Sequence, residues 1–363
     1  MLAVYVSGHG FGHSTRTAEV LRKVRALRPE LPIAVVTSAP EALFRDAIGP
    51  GNVFRSERID VGLVQRGALV IDADATLAAW NAFQRGTDAR VAREAAWLRE
   101  RGARLVLADI PPLAFAAATA AGVPAIGLTN FSWDWIYSHL ARHAPGLSRA
   151  ADAAARDYAG AALLLQLPFA GDLSAFPRRE PIPLVARRPG LTREEVRRRL
   201  GLGPAPAVLL SFGGLGMPGL DLAVLAPLAG FQLLTETTTS GAPPNTTALA
   251  PSDLARRGLG YLDLVVAADV VVTKPGYGIV SDAIACRTRM VYTERGDFPE
   301  YPILVQEMTR WLPAVHVSNA DLVAGRLGPA LEAVLAIPFP DPPRLDGAET
   351  AARRILEHAG LGA

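Results

Sequence analysis

YVSGHGFGHSTRTAEVLRKV, residues Tyr5 to Val24, runs an apolar strand into a turn of three glycines and two histidines and then into an amphipathic segment. A Gly-rich strand-to-helix turn brings a phosphate or a reacting group close to the backbone, and imidazoles placed there add proton transfer. The same pattern repeats outward from it. LAVYVS (2–7) reads as a strand, 14–28 as a helix with Val20, Val24 and Leu27 on one face, and IAVVTS (33–38) as the next strand. RLVLADI (104–110), an Ala-rich helix and PAIGLTN (124–130) continue it. Such alternation predicts right-handed crossovers and a parallel sheet covered by helices on both faces.

A Pro- and Arg-rich stretch, LPFAGDLSAFPRREPIPLVARRPG (Leu167–Gly190), interrupts the series and suits a linker. Beyond it come a helix at 192–200, strands at 207–214, 231–237 and 269–274, a helix at 278–286 and a strand at 289–294. The expected class is α/β: two doubly wound, Rossmann-like domains facing a central cleft. The first covers 1–176, a linker 177–190, the second 191–340, and a C-terminal helix in 341–363 packs back on the first. Ligands of such sheets bind beyond the carboxyl ends of the strands.

Composition bounds the partners. A chain of 363 residues exceeds one ordinary core, and half of it is apolar, enough for two. The 37 basic and 35 acidic residues nearly cancel, so no global field points to nucleic acid. Apolar runs are short and Pro-bounded, which excludes a transmembrane span, leaves a peripheral membrane contact open and reads, with no basic leader at Met1, as a cytoplasmic protein. One cysteine, Cys286, cannot form an internal disulfide. Only two of the 37 basic residues are lysines, Lys23 and Lys274, and Lys274 lies in a Gly-rich turn.

Three such turns follow strands: SGHGFGH (7–13), FGGLGMPG (212–219) and TKPGYGIVSDA (273–283). In the third, Pro275 and Gly276 end the strand, Gly278 lets the backbone approach, and the next helix aims free N–H groups at a phosphate beside Lys274. Neither a dinucleotide fingerprint nor a P-loop is present. His9 and His13, four apart, would suit zinc on a helix, but Gly10 and Gly12 disfavour a helix there and no third ligand is near, so no metal is expected. His13 can serve as a polar turn residue or as a general base, and Asp109, ending a strand, as its orienter or as an N-cap for the next helix.

VSGHGFGHSTR, GLVQRGALVID (62–72), ADIPPLAFAAATAAGVPAIGLTNFSWDWIY (108–137) and AADVVVTKPGYGIVSDAIACRTRMVYTERGDFPEYP (267–302) resemble the glycosyltransferase-like domain preceding the sugar kinase of plant L-arabinokinases and its free-standing bacterial relatives. More distantly the plan is similar to GT-B nucleotide-sugar glycosyltransferases. The resemblance implies an inverting, metal-independent transfer from a nucleoside diphosphate sugar, UDP-linked by preference, to a hydroxyl acceptor, with no cofactor beyond that co-substrate. It assigns His13 as base and Asp109 as its partner. For the donor it implies Gly213, Gly214, Lys274, Pro275, Gly276, Tyr277 and Gly278, with Asp282 on the ribose, where relatives often carry glutamate, and Asp297 and Glu300 on the sugar. His9, Gly10, Gly12, Arg16, Gln65, Asn130, Trp133 and Asp134 are left for the acceptor or for orienting oxygen atoms. The aromatics Phe131, Trp133, Trp135 and Tyr137 read equally as an acceptor wall or as core. Two alternatives stand beside transfer: a nucleotide-sugar hydrolase using the Gly10–Arg16 turn with water as acceptor, and a binding module without catalysis. No motif names the nucleobase, the sugar, the acceptor or the oligomeric state.

Overall fold

Strand β1 (Leu2–Val6) is an inner strand of a seven-stranded parallel sheet in a computed structural model that describes residues 1–67, 70–213, 219–236 and 241–362. Around it lie β2 (Ile33–Thr37), β3 (Val53–Ser56), β4 (Leu105–Asp109), β5 (Ala125–Thr129), β6 (Leu163–Gln166) and β7 (Arg179–Pro181), in the order β3-β2-β1-β4-β5-β6-β7. Strands β1, β2, β4 and β5 are buried along their whole length, which is why they read as unbroken apolar runs. The sheet reaches Pro181, into the stretch read as linker.

The second sheet comprises β8 (Ala207–Ser211), β9 (Gln232–Thr235), β10 (Thr246–Ala248), β11 (Val270–Thr273), β12 (Arg289–Tyr292) and β13 (Ala314–His316), ordered β10-β9-β8-β11-β12-β13 and again parallel throughout. Five helices matter for the site: α1 (Phe11–Leu27), α2 (Pro112–Ala121), α3 (Trp133–Leu140), α4 (Tyr277–Cys286) and α5 (Gly347–His358). One apolar cluster runs from Val4 and Val35 in the first sheet through Val20, Leu21 and Val24 of α1 to Ala283 of α4, Leu209 of β8 and Ile355 of α5. Each of these large aliphatic side chains contributes about 1.5–3 kcal/mol on burial. Helix α5 packs on α1, where Lys23 Nζ lies 3.0 Å from Glu349.

Two details of the opening stretch differ from expectation. Helix α1 begins at Phe11, not at residue 14, because Gly10 takes φ +77° and turns the chain, so Gly12 and His13 lie in the first helical turn. Leu27, expected on the buried face with Val20 and Val24, is exposed at the helix end. Among the described residues no helix is long and apolar enough to cross a membrane.

Candidate active site

The carboxyl edge of β1 and β4 fixes the first part of the site, since Val6 and Asp109 are register partners. Helix α1 presents His13, Arg16 and Thr17 on one face, the i, i+3, i+4 spacing that makes helical residues neighbours. All three converge on the fully buried Asp109. Its Oδ1 accepts from His13 Nδ1 at 2.7 Å and from Arg16 Nη2 at 2.6 Å; its Oδ2 accepts from Arg16 Nε at 2.7 Å and from Thr17 Oγ1 at 2.9 Å. Burial pushes the Asp109 pKa up, but Arg16 and then His13 outweigh it and hold the group at about 2. An ionised carboxylate on Nδ1 puts the imidazole proton there and leaves the Nε2 lone pair as the basic position. The N-cap of α2 is Pro111, so Asp109 does not cap that helix.

Arg16 was expected to orient an acceptor oxygen. It is instead buried behind the pair, forked onto Asp109, bonded through Nη1 to Asn130 Oδ1 at 2.8 Å and lying 5.0 Å over the Tyr277 ring. His9, in the turn before α1, accepts from the Leu63 N–H at 3.3 Å and meets the Trp133 ring edge-on at 5.5 Å. Gly62 makes that approach possible: it has φ +64°, and a Cβ on it would lie 2.8 Å from His9 Cβ. Each histidine thus has its Nδ1 committed, and among the described residues no group of three His, Cys, Asp or Glu is set to hold a metal.

Burial, then the charges of His13, Arg295 and Lys274, depress the His9 pKa from 6.5 to about 3. Below pH 6.5 the unfolded chain therefore binds a proton that the folded chain refuses. Stability should fall as pH drops from 6.5 towards 3, by up to about 1.4 kcal/mol per pH unit. Denaturant titrations at pH 7.5 and 5.5 should show this loss in the wild type and a smaller one in His9→Asn; equal losses would contradict it.

In the second half, β11 ends at Thr273, Lys274, Pro275 and Gly276 form the turn, and α4 begins at Tyr277. A Cβ on Gly278 would lie 3.5 Å from Gly12 Cα, so the first turns of α1 and α4 touch backbone to backbone. Two helix N-termini, each a positive dipole end, meet at the cleft. Burial and Arg295 lower the Lys274 pKa to about 8, which keeps it mostly charged at neutral pH. Gly213 takes φ +72° just beyond β8, and Gly214 lies outside the described residues. Tyr277 points inward, its hydroxyl 3.3 Å from both the N–H and the carbonyl oxygen of Val185. Asp282, expected on the ribose, is buried and ion-paired with Arg187, whose Nε donates at 3.1 Å.

The two carboxylates expected on the donor sugar are engaged by the first half. Asp297 accepts from His139 Nε2 at 2.9 Å and His143 Nε2 at 2.7 Å and pairs with Arg142. Burial acts upward on its pKa, but bonds from His143, His139 and Arg142 bring it to about 2. Glu300, 2% exposed, accepts from Asn130 Nδ2 at 2.6 Å and Arg295 Nη1 at 2.6 Å. Asn130 is consequently a buried bridge, not a surface for an acceptor. Three of the four aromatics lie in the core: Trp133 is fully buried, stacked on Tyr137 at 5.8 Å and bonded through Nε1 to Asp60 Oδ2 at 3.1 Å, and Phe131 sits edge-on to His13 at 5.3 Å, while Trp135 is half-buried against that cluster. Asp134, in the first turn of α3, has a buried Oδ1 without a partner among the described residues, and burial raises its pKa. Gln65 lies in a short hairpin, paired with Ile71. Two residues escaped the sequence reading: Asp60, a buried carboxylate whose pKa burial raises, and Arg295, above the Lys274 turn. Both sit in irregular loops where no periodicity marks them.

No family model matches the chain. L-arabinokinase of Arabidopsis thaliana is 33% identical over 368 residues, taking in 100% of this chain and 34% of that protein. The chain thus spans about a third of the length of this curated relative. Among solved structures, the kitacinnamycin glycotransferase superposes with a TM-score of 0.61 at 18% identity, covering 99% of this chain and 95% of the other. The chain has the GT-B fold. A UGT transferase from Siraitia grosvenorii, solved in complex with UDP, gives a TM-score of 0.57 at 13% identity, covering 99% of each chain. In this GT-B chain the His13–Asp109 pair belongs to one sheet edge and the Lys274 turn to the other, and the two edges face each other across the touching helix ends.

Proposed function

We propose that this GT-B chain transfers a glycosyl group from a nucleoside diphosphate sugar to a hydroxyl acceptor, with inversion and without a metal. The observation that carries the reading is the His13–Asp109 hydrogen bond of 2.7 Å on a helix whose first turn touches the first turn of α4. His13 Nε2 takes the proton of the acceptor hydroxyl as that oxygen bonds to the anomeric carbon. The bond from this carbon to the diphosphate oxygen breaks, and its electron pair leaves with the diphosphate. The N–H groups at the start of α4 and the Lys274 ammonium meet the charge that develops there.

The first test is a thermal-shift screen against UDP, dTDP, GDP and ADP and their sugar conjugates, because a ligand at 100 times its dissociation constant stabilises the folded state by about 2.7 kcal/mol. UDP comes first, since a similar fold holds it in the Siraitia grosvenorii structure. Lys274→Ala should weaken the active nucleotide about tenfold or more, the size of a lost charge-assisted contact. No shift with any nucleotide would sink the donor site. Release of free sugar without an acceptor would instead identify a hydrolase, and binding without turnover a non-catalytic module; turnover that chelator abolishes would overturn metal independence.

A further inference from the structure

Both oxygens of Glu300 are occupied, and by opposite halves of the molecule. On one side Asn130 Nδ2 donates to Oε1, while Asn130 Oδ1 accepts from Arg16, whose fork holds Asp109. On the other side Arg295 Nη1 donates to Oε2 at 2.6 Å and to the Pro275 carbonyl at 3.3 Å, in the turn that opens α4. The Arg295 guanidinium lies 4.2 Å over the Phe298 ring, which fixes its plane. Among the described residues its Nε and Nη2 donate to nothing, so one edge of the fork is spent on Glu300 and Pro275 and the other is spare. The chain of bonds Asp109–Arg16–Asn130–Glu300–Arg295–Pro275 is continuous from the carboxylate beside the base to the Lys274 turn.

The geometry points to Glu300 as a positioning residue between the halves: it holds Arg295 over the phosphate-binding turn and ties that turn to the His13–Asp109 pair, and it does not read the donor sugar. This rests on the reading of the Lys274 turn as a diphosphate site. A diphosphate at the start of α4 would draw on the spare Arg295 donors, since guanidinium forks match phosphate oxygens. Its affinity then depends on Glu300, and through Glu300 on Asn130, which belongs to the other half.

Titration calorimetry of the full chain with UDP, dTDP, GDP and ADP, and with the sugar conjugate of whichever binds, separates the two roles. A sugar reader, once replaced, weakens the conjugate and spares the diphosphate. As a positioning residue, Glu300→Gln should weaken both by the same factor, about tenfold or more. Asn130→Ala should act in the same direction and add little in the Glu300→Gln background. If Glu300→Gln does not fold, Arg295→Lys, which keeps the charge and loses the fork, should give the same parallel loss. Wild-type affinity for the diphosphate in a folded Glu300→Gln or Arg295→Lys, or additive losses in the double variant, would overturn the proposal. A wild type that binds none of the four diphosphates overturns the donor site itself, a result distinct from a wild type that binds and a variant that binds equally well.

Discussion

Turnover of His13→Ala should fall 100- to 10,000-fold, the usual contribution of a positioned general base, while the dissociation constant of the nucleoside diphosphate stays within a factor of about two. The asymmetry follows from where the ring is held. His13 is bonded to Asp109 and packed against Phe131, both in the first half, whereas the cations assigned to the diphosphate, Lys274 and Arg295, stand on the second. Asp109 keeps Arg16 and Thr17 in the variant, so the carboxylate stays ionised and the surrounding network remains bonded. Stopped assays for turnover and calorimetry for binding give the two numbers. Equal losses in both would mean that His13 serves the donor, and the division of labour between the sheet edges would be wrong.

Much of this arrangement is legible in the chain itself. β1, β4 and β5 are buried on both faces and therefore appear as apolar runs, and the glycines of the His9–His13 turn mark where the backbone must bend. Because β1 and β4 end at the same edge, Asp109 could be placed near the first helix from strand boundaries alone. The position of Arg16 was also within reach: residues 13, 16 and 17 share a helical face, and a carboxylate that meets one of them can meet all three.

The carboxylates of the second half were not legible in the same way. Resemblance marks Asp282, Asp297 and Glu300 as positions but carries no information on what competes for them. Arg187 is 95 residues from Asp282, His139 is 158 from Asp297, and Asn130 is 170 from Glu300. No local period connects such pairs; only the packing of two sheets against shared helices does. Trp133 fails for a related reason, since an aromatic at a strand end looks alike whether it faces a ligand or, as here, a buried Asp60.

Removing Arg16 should be among the most destabilising single changes in the chain. In Arg16→Met, Asp109 remains fully buried with only His13 and Thr17 as partners, and breaking a buried ion pair from one side costs about 3–5 kcal/mol. Asp109→Asn should cost a comparable amount for the mirror reason, because Arg16 is left as a buried cation beside a neutral amide. The double variant should be far more stable than the sum of the singles implies, since neither charge is then stranded. The pH dependence has a definite sign. In the wild type the depressed Asp109 pKa adds stability that is complete above 3.8 and is lost as pH falls towards 2, roughly 2 kcal/mol in all. Without Arg16, burial is less opposed and the carboxyl moves up towards or past its unfolded value, so the stability lost on acidification below 3.8 should be smaller in Arg16→Met than in the wild type. Urea titrations of the four proteins between pH 3 and 7 measure the coupling and the shift together; additive single losses and a wild-type acid limb in Arg16→Met would show that the Arg16–Asp109 fork does not hold the base in place.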